Sequence, residues 1–204
     1  MSTKWVVGAL AALLALAAVL ALVVGGVVGR SIVPAPESTP DAAGESAPAQ
    51  RPATVRFKDT LTDVSIAYPS TWVRQMGEDQ AVRILASSPD GSAAVSVSVR
   101  KAGLEPVTPQ TLPVVRPLTE DLLRADRDIE KIGEPVAVTV DGVPGYRYVY
   151  TYRRDDGRDG AHVHYFLFTQ QGRLIQIVLE AVPASRLPAL QPTFDRIADS
   201  FRVD

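Results

Sequence analysis

Residues Gly145 to Leu179 read GYRYVYTYRRDDGRDGAHVHYFLFTQQGRLIQIVL, three alternating runs separated by two turn signals. In the first run Tyr146, Tyr148, Tyr150 and Tyr152 share one parity, so on a strand they line a single face. His162, His164, Phe166 and Phe168 do the same in the second run, and Ile175, Ile177, Leu179 and Ala181 in the third. A hairpin centred on Gly157 sets Tyr152 opposite His162, Tyr150 opposite His164, Tyr148 opposite Phe166 and Tyr146 opposite Phe168. A two-residue turn at Gln171-Gly172 then sets Phe168 opposite Ile175 and Phe166 opposite Ile177. This register places all three sets on one face of an antiparallel sheet, as a core-facing surface requires.

The flanking sequence extends that sheet. In EPVAVTVDG, pairing about a turn from Asp141 to Gly145 brings Val140 opposite Tyr146 and Val138 opposite Tyr148, adding Val136, Val138 and Val140 to the same face. VRFKD and VSIAYP read as two strands joined by Thr60 to Asp63, with Val64, Ile66 and Tyr68 on one face and Trp72 plugging an end of the core. AVRILASS and AAVSVSVRK form a hairpin about Pro89-Asp90-Gly91. There Val95, Val97 and Val99 point one way and Ser96 and Ser98 the other, which predicts one buried and one wet face.

Two helices complete the domain. A Pro-rich bridge from Glu105 leads to one with Pro117 at its first position, a stripe of Leu118, Leu122, Ala125 and Ile129, and Gly133 placed to end it. The other runs from about Arg186 to Phe201, with Leu187, Leu190, Phe194, Ile197 and Phe201 at helical spacing. Strands, helix, strands, helix, joined mainly by hairpins, predict an α+β domain over residues 54–204: an antiparallel β-sheet flanked by helices.

Before the domain, residues 5–28 are uncharged and almost wholly Ala, Leu, Val and Gly, long enough to cross a hydrocarbon core of ~30 Å as a helix. The rival is a cleavable signal peptide, whose apolar region usually holds about 7 to 15 residues, and no small-x-small site closely follows Val28. Lys4 and the terminal amine place residues 1–4 in the cytoplasm and the rest of the chain outside it. Residues 29–53, rich in Pro, Ala, Ser and Glu, cannot bury enough apolar surface to order themselves and read as a tether.

Composition excludes several functions. A net charge of -2 and a pI near 5.7 leave no footprint for nucleic acid. The chain has no cysteine, which removes disulfides, thiol nucleophiles, thiolate metal sites and the acylated cysteine of a bacterial lipoprotein.

The strand ending in YPSTW, the mid-domain helix, the segment VTVDGVPGYRYVYTY, the further hairpin and the final helix ending in SFRV together resemble PsbP-like proteins. The likeness is greatest to actinobacterial envelope members of the LpqN lipoprotein type and covers Thr54 to Asp204. It implies an antiparallel sheet sandwiched by helices, used as a non-catalytic binding or assembly module with no catalytic residue set to carry over. Because cysteine is lacking, a protein anchor would replace the lipid one here.

No constellation of catalytic residues emerges. His162 and His164 lie two apart on one face and could chelate a metal, but no third ligand is predicted. RRDDGRDG superficially has the look of a calcium loop, yet Phe166 stands near the position that needs an acidic ligand. There is no G-x-S-x-G elbow, no serine near the histidines and no Gly-rich phosphate loop. The tyrosine row reads either as a core filled by the stripe around Phe194 and Phe201 or as an aromatic pocket for an apolar ligand. The expected role is a membrane-anchored, extracytoplasmic, non-catalytic module with an envelope protein partner and no cofactor. The alternative is a carrier or sensor of an apolar ligand, with a hydrolase third. Tyr150, Tyr152, His162 and His164, expected to converge at a wet end of the sheet, are the candidate ligand or partner surface.

Overall fold

The structure, a computed structural model, describes residues 53–75, 79–126 and 129–203. The expected transmembrane helix and nearly all of the tether lie outside those residues. No helix among the described residues is long and apolar enough to cross a membrane.

Each run with strand alternation forms a strand. β1 (Thr54–Asp59) and β2 (Val64–Pro69) make the first hairpin, followed by β3 (Val73–Gln75), β4 (Val82–Ser87) and β5 (Ala93–Lys101). After helix α1 (Leu112–Asp126) come β6 (Ile129–Ile132), β7 (Val136–Val140), β8 (Val143–Arg153), β9 (Asp159–Phe168) and β10 (Arg173–Ala181). A 3-10 turn at Ala184–Arg186 leads into α2 (Leu187–Asp199), and β11 (Arg202–Val203) follows. The main antiparallel sheet has eight strands in the order β3-β4-β5-β10-β9-β8-β6, with β7 pairing the same edge of β8 as β6. A second sheet has three strands, β1-β2-β11. The α+β class stands, as an antiparallel sheet with helices.

Three turns decide which side chains share a face. Between β8 and β9, Arg154 N–H donates to Arg158 O at 2.9 Å, and Gly157 takes a φ of 77°. Tyr146 therefore pairs with Phe166, Tyr148 with His164, Tyr150 with His162 and Tyr152 with Gly160. The pairs have slid by two residues from the expected register, which leaves every face unchanged.

The second turn changes more. Thr169 N–H donates to Arg173 O at 3.0 Å around Gln170, Gln171 and Gly172, the last at a φ of 69°, a three-residue loop ending in a left-handed glycine. The extra residue pairs Phe168 with Leu174 and Phe166 with Gln176. Ile175, Ile177, Leu179 and Ala181 thus face away from the tyrosines, while Leu174, Gln176, Val178 and Glu180 face with them.

The third turn is tighter than expected. Asp141 and Gly142 take φ of 49° and 77°, a two-residue hairpin turn, so Val140 pairs with Val143 and Val138 with Gly145. Val136, Val138 and Val140 consequently lie opposite the tyrosine face.

Two cores follow, one on each side of the main sheet. Ile175, Ile177, Leu179, Val95, Val97, Val163 and Leu167 join Phe194 and Ile197 of α2, Phe201, and Val64, Ile66 and Tyr68 of β2. Tyr146, Tyr148, Tyr150, Tyr152, Phe166, Phe168 and Leu174 join Val107 and Leu112, Val115 and Leu123 of α1. The helix over the tyrosines is therefore α1, and the Phe194–Phe201 stripe covers the other face. Helix α1 also starts ahead of Pro117, which lies inside it, and it buries Leu112, Val115, Thr119 and Leu123 instead of the expected stripe. Ser98 is buried and Ser96 half-buried, so the second face of β5 is covered, not wet.

Candidate functional site

Glu180, His162 and Tyr150 stand in one row across β10, β9 and β8, each directly opposite the next. The neighbouring row carries Val178, His164 and Tyr148. Cross-strand neighbours on one face lie within side-chain reach, so the register alone brings these groups together.

Their polar atoms are joined in a chain. The Tyr150 hydroxyl lies 2.8 Å from His162 Nδ1 and 3.2 Å from His164 Nδ1, and His164 Nε2 lies 3.1 Å from Gln176 Oε1. The Gln176 oxygen only accepts, so His164 Nε2–H donates to it and His164 Nδ1 accepts from the Tyr150 hydroxyl. Tyr150 has then spent its proton, and His162 Nδ1–H donates to the phenolic oxygen. That leaves His162 Nε2 facing Glu180 Oε1 at 3.8 Å, an arrangement in which a second proton on the imidazole makes an ion pair.

Glu180 is the charged centre. Its carboxylate accepts from Tyr152 Oη and, at 2.6 Å, from Arg154 Nη1. Burial pushes the carboxyl up, but the His162 imidazole, the Tyr152 hydroxyl and the Arg154 guanidinium together outweigh it and hold its pKa down at about 2. Burial likewise works against the Arg154 charge, and Glu180 foremost reverses that, so its pKa is raised. Tyr152 is held over this carboxylate by Gly160 on the paired strand. A Cβ at Gly160 would come within 2.6 Å of the tyrosine ring, so only glycine leaves the ring its place.

Farther along the row, Tyr148 Oη and Thr119 Oγ1 of α1 lie 2.5 Å apart, and burial raises the phenol pKa. The His164 ring stacks on Phe166 with centroids 4.0 Å apart. Tyr150, Tyr152, His162 and His164 are only 0–4% exposed. The four residues do converge, but inside the molecule, Tyr150 bonded to both histidines and Tyr152 to Glu180, where the sequence predicts a wet end.

A profile of the PsbP family matches residues 53–203. The chain belongs to the PsbP family. The solution structure of cyanobacterial PsbP, CyanoP, from Synechocystis sp. PCC 6803 is similar at 19% identity, covering 79% of this chain and 98% of that one with a TM-score of 0.52. PA94 from Pseudomonas aeruginosa matches at 17% identity over 72% of this chain and 94% of its own, with a TM-score of 0.47. LpqN of Mycobacterium tuberculosis, described as involved in cell envelope biogenesis, matches at 12% identity over 68% and 82%, with a TM-score of 0.45. No curated protein matches.

In this PsbP domain three members of the network escape a reading of the alternation. Glu180 and Gln176 fall on the tyrosine face only once the three-residue turn is known, and Arg154 looks like one more charge at a hairpin tip. The available signal is RLIQIVLEA itself: an amide and a carboxylate four apart on one parity of an apolar strand need buried partners. Two of the three aspartates of the tip are held by arginines, Asp156 by Arg158 at 2.7 Å and Asp159 by Arg153 at 2.7 Å. Among the described residues no three His, Asp or Glu side chains are placed to hold a metal ion.

Proposed function

We propose that the chain is a membrane-anchored, non-catalytic binding or assembly module outside the cytoplasm of a bacterial cell. The observation that carries the non-catalytic part is the burial of its acid–base groups. His162, His164, Tyr150, Tyr152 and Glu180 are spent on one another beneath the surface, and a general acid or base must come within hydrogen-bond reach of a substrate. Membership of the PsbP family, whose members are generally non-catalytic, supports the same reading.

The apolar run Trp5–Val28 supplies the anchor and residues 29–53 the reach, with the domain working through its outer surface. Photo-cross-linking from surface positions in intact cells should trap an envelope protein, and the purified chain should show no turnover of ester, glycan or peptide substrates. Turnover abolished by His162→Asn or Glu180→Gln in a variant that still folds would overturn the proposal. Protease added outside spheroplasts should digest the domain. Full protection would place it on the cytoplasmic side.

A further inference from the structure

The described strand edges are unequal. β1 carries Arg56 and Lys58, β3 has three residues, and β6 has Glu130, which pairs with Arg153 at 3.1 Å. Charges and short length are the usual means of stopping an edge from pairing with another chain. β7, by contrast, is VAVTV, five residues with no charge and no proline. It pairs β8 on one side, and no other described strand pairs with it.

The tight turn at Asp141-Gly142 sets which backbone groups point outward. In a two-residue hairpin the residues flanking the turn, Val140 and Val143, exchange hydrogen bonds, and the pattern then alternates. Val136, Val138 and Val140 thus aim their N–H and C=O at β8, while Ala137 and Thr139 aim theirs away from the sheet. Val136 is 51% exposed, and Ile132 at the end of β6 is 47% exposed.

The strand also reads nearly alike in both directions about Val138. An antiparallel pairing of two copies across a two-fold axis at that residue sets Val138 opposite Val138, Val136 opposite Val140, and Ala137 opposite Thr139. Like then meets like, as an isologous contact demands. Ala137 and Thr139 form the hydrogen-bonded pairs, and the valines fall on the closer, non-hydrogen-bonded ones. The one charge at the hairpin tip is engaged already: Asp141 Oδ2 accepts from Val203 N–H at 2.8 Å, and Arg202 Nε lies 3.7 Å from its other oxygen.

We propose that β7 is a dimerisation edge through which a second copy of this chain continues the main sheet. The sequence offers a clean test because it contains no cysteine. In the full chain, held in a mild detergent that accommodates Trp5–Val28, Val138→Cys should oxidise to a disulfide-linked dimer at least about tenfold faster than Val114→Cys, since the non-hydrogen-bonded position brings the two sulfurs together. Val114 is the proper control, being 78% exposed on α1. Thr139→Pro removes an outward N–H that bonds to none of the described residues. It should abolish the dimer in sedimentation while leaving circular dichroism unchanged. Equal rates for the two cysteine variants, or a wild-type chain that sediments as a monomer at every concentration reached, would overturn the proposal. So would a Val138→Cys chain that cross-links in cells only to a different protein, which would give the edge to a partner's strand.

Discussion

The two faces of the main sheet are both buried at their centres, by different chemistry. The face under α2 is filled almost wholly by carbon, with Ile175, Ile177, Leu179, Phe194 and Phe201 at its centre. The face under α1 is filled by tyrosine rings whose far end passes into an ionic chain, Arg154, Glu180, Tyr152 and the two histidines. Dispersion and burial are non-directional, so the first face should accept any residue of about the right volume. The second is held by directional hydrogen bonds and ion pairs, and a change of a single atom type takes from a buried charge its nearest partner. Specificity and tolerance thus sit back to back on one sheet.

Single substitutions at the centre of each face break that comparison most sharply. Glu180→Leu should cost about 3–5 kcal/mol, because it leaves the Arg154 guanidinium, whose side chain is only 7% exposed, with only the more exposed Asp156 carboxylate at 3.3 Å. Ile177→Val on the other face should cost only about 0.5–1.5 kcal/mol. Urea unfolding of the two variants measures both, and equal costs would remove the distinction.

Of the two buried faces, the one under α1 carries a carboxylate whose titration should weaken it in acid. The Glu180 carboxyl is held at about 2 in the folded chain against an ordinary value of 4.5, so its stabilising contribution is complete above pH 4.5 and is lost as pH falls towards 2. Wild type should lose stability steeply through that window, and Glu180→Gln should flatten that part of the acid limb. A Glu180→Gln profile parallel to that of wild type would contradict the assignment.

How far the sequence reveals this contrast can be argued from the turns. Alternation assigns the tyrosines and histidines to a common face whatever the hairpin does, because a slip of two residues preserves parity. It says nothing of a slip of one. Gln170 to Gly172 form a loop of three residues where two fit the pattern equally well, and that single residue moves Ile175, Ile177 and Leu179 to the other core. The same blindness hid Glu180, since the partner face of β10 was inverted. The helix over the tyrosines was misassigned for a related reason: both helices have apolar stripes, and a stripe carries no address. The hairpins β1–β2, β4–β5, β7–β8, β8–β9 and β9–β10 are legible from local alternation and Gly, Asp and Pro turn residues, whereas the short strands β3, β6 and β11 are not: the alternation of Ile129–Ile132 is too brief to separate from the end of the helix before it.

Smaller perturbations sharpen the picture. Gly160→Ala should displace the Tyr152 ring from Glu180 and cost about 1–3 kcal/mol, since the added methyl meets a ring that is fully buried. Thermal unfolding would show it, and a neutral result would mean the ring moves freely. Tyr148→Phe, which removes only the contact with Thr119, should cost about 0.5–1.5 kcal/mol, because Thr119 keeps its bond to the Arg116 carbonyl at 2.8 Å.

The most direct test of a buried, self-satisfied network is a double-mutant cycle between Arg154 and Glu180, with each changed to Met singly and together and stability read by urea unfolding at neutral pH. Their contact at 2.6 Å predicts strong non-additivity: each single change should cost several times more than the second does once the first is made, with a coupling of about 2 kcal/mol or more. Additive costs with a coupling near zero would show that the two charges are solvated independently, and the claim that this face is closed by its own ionic chain would fail.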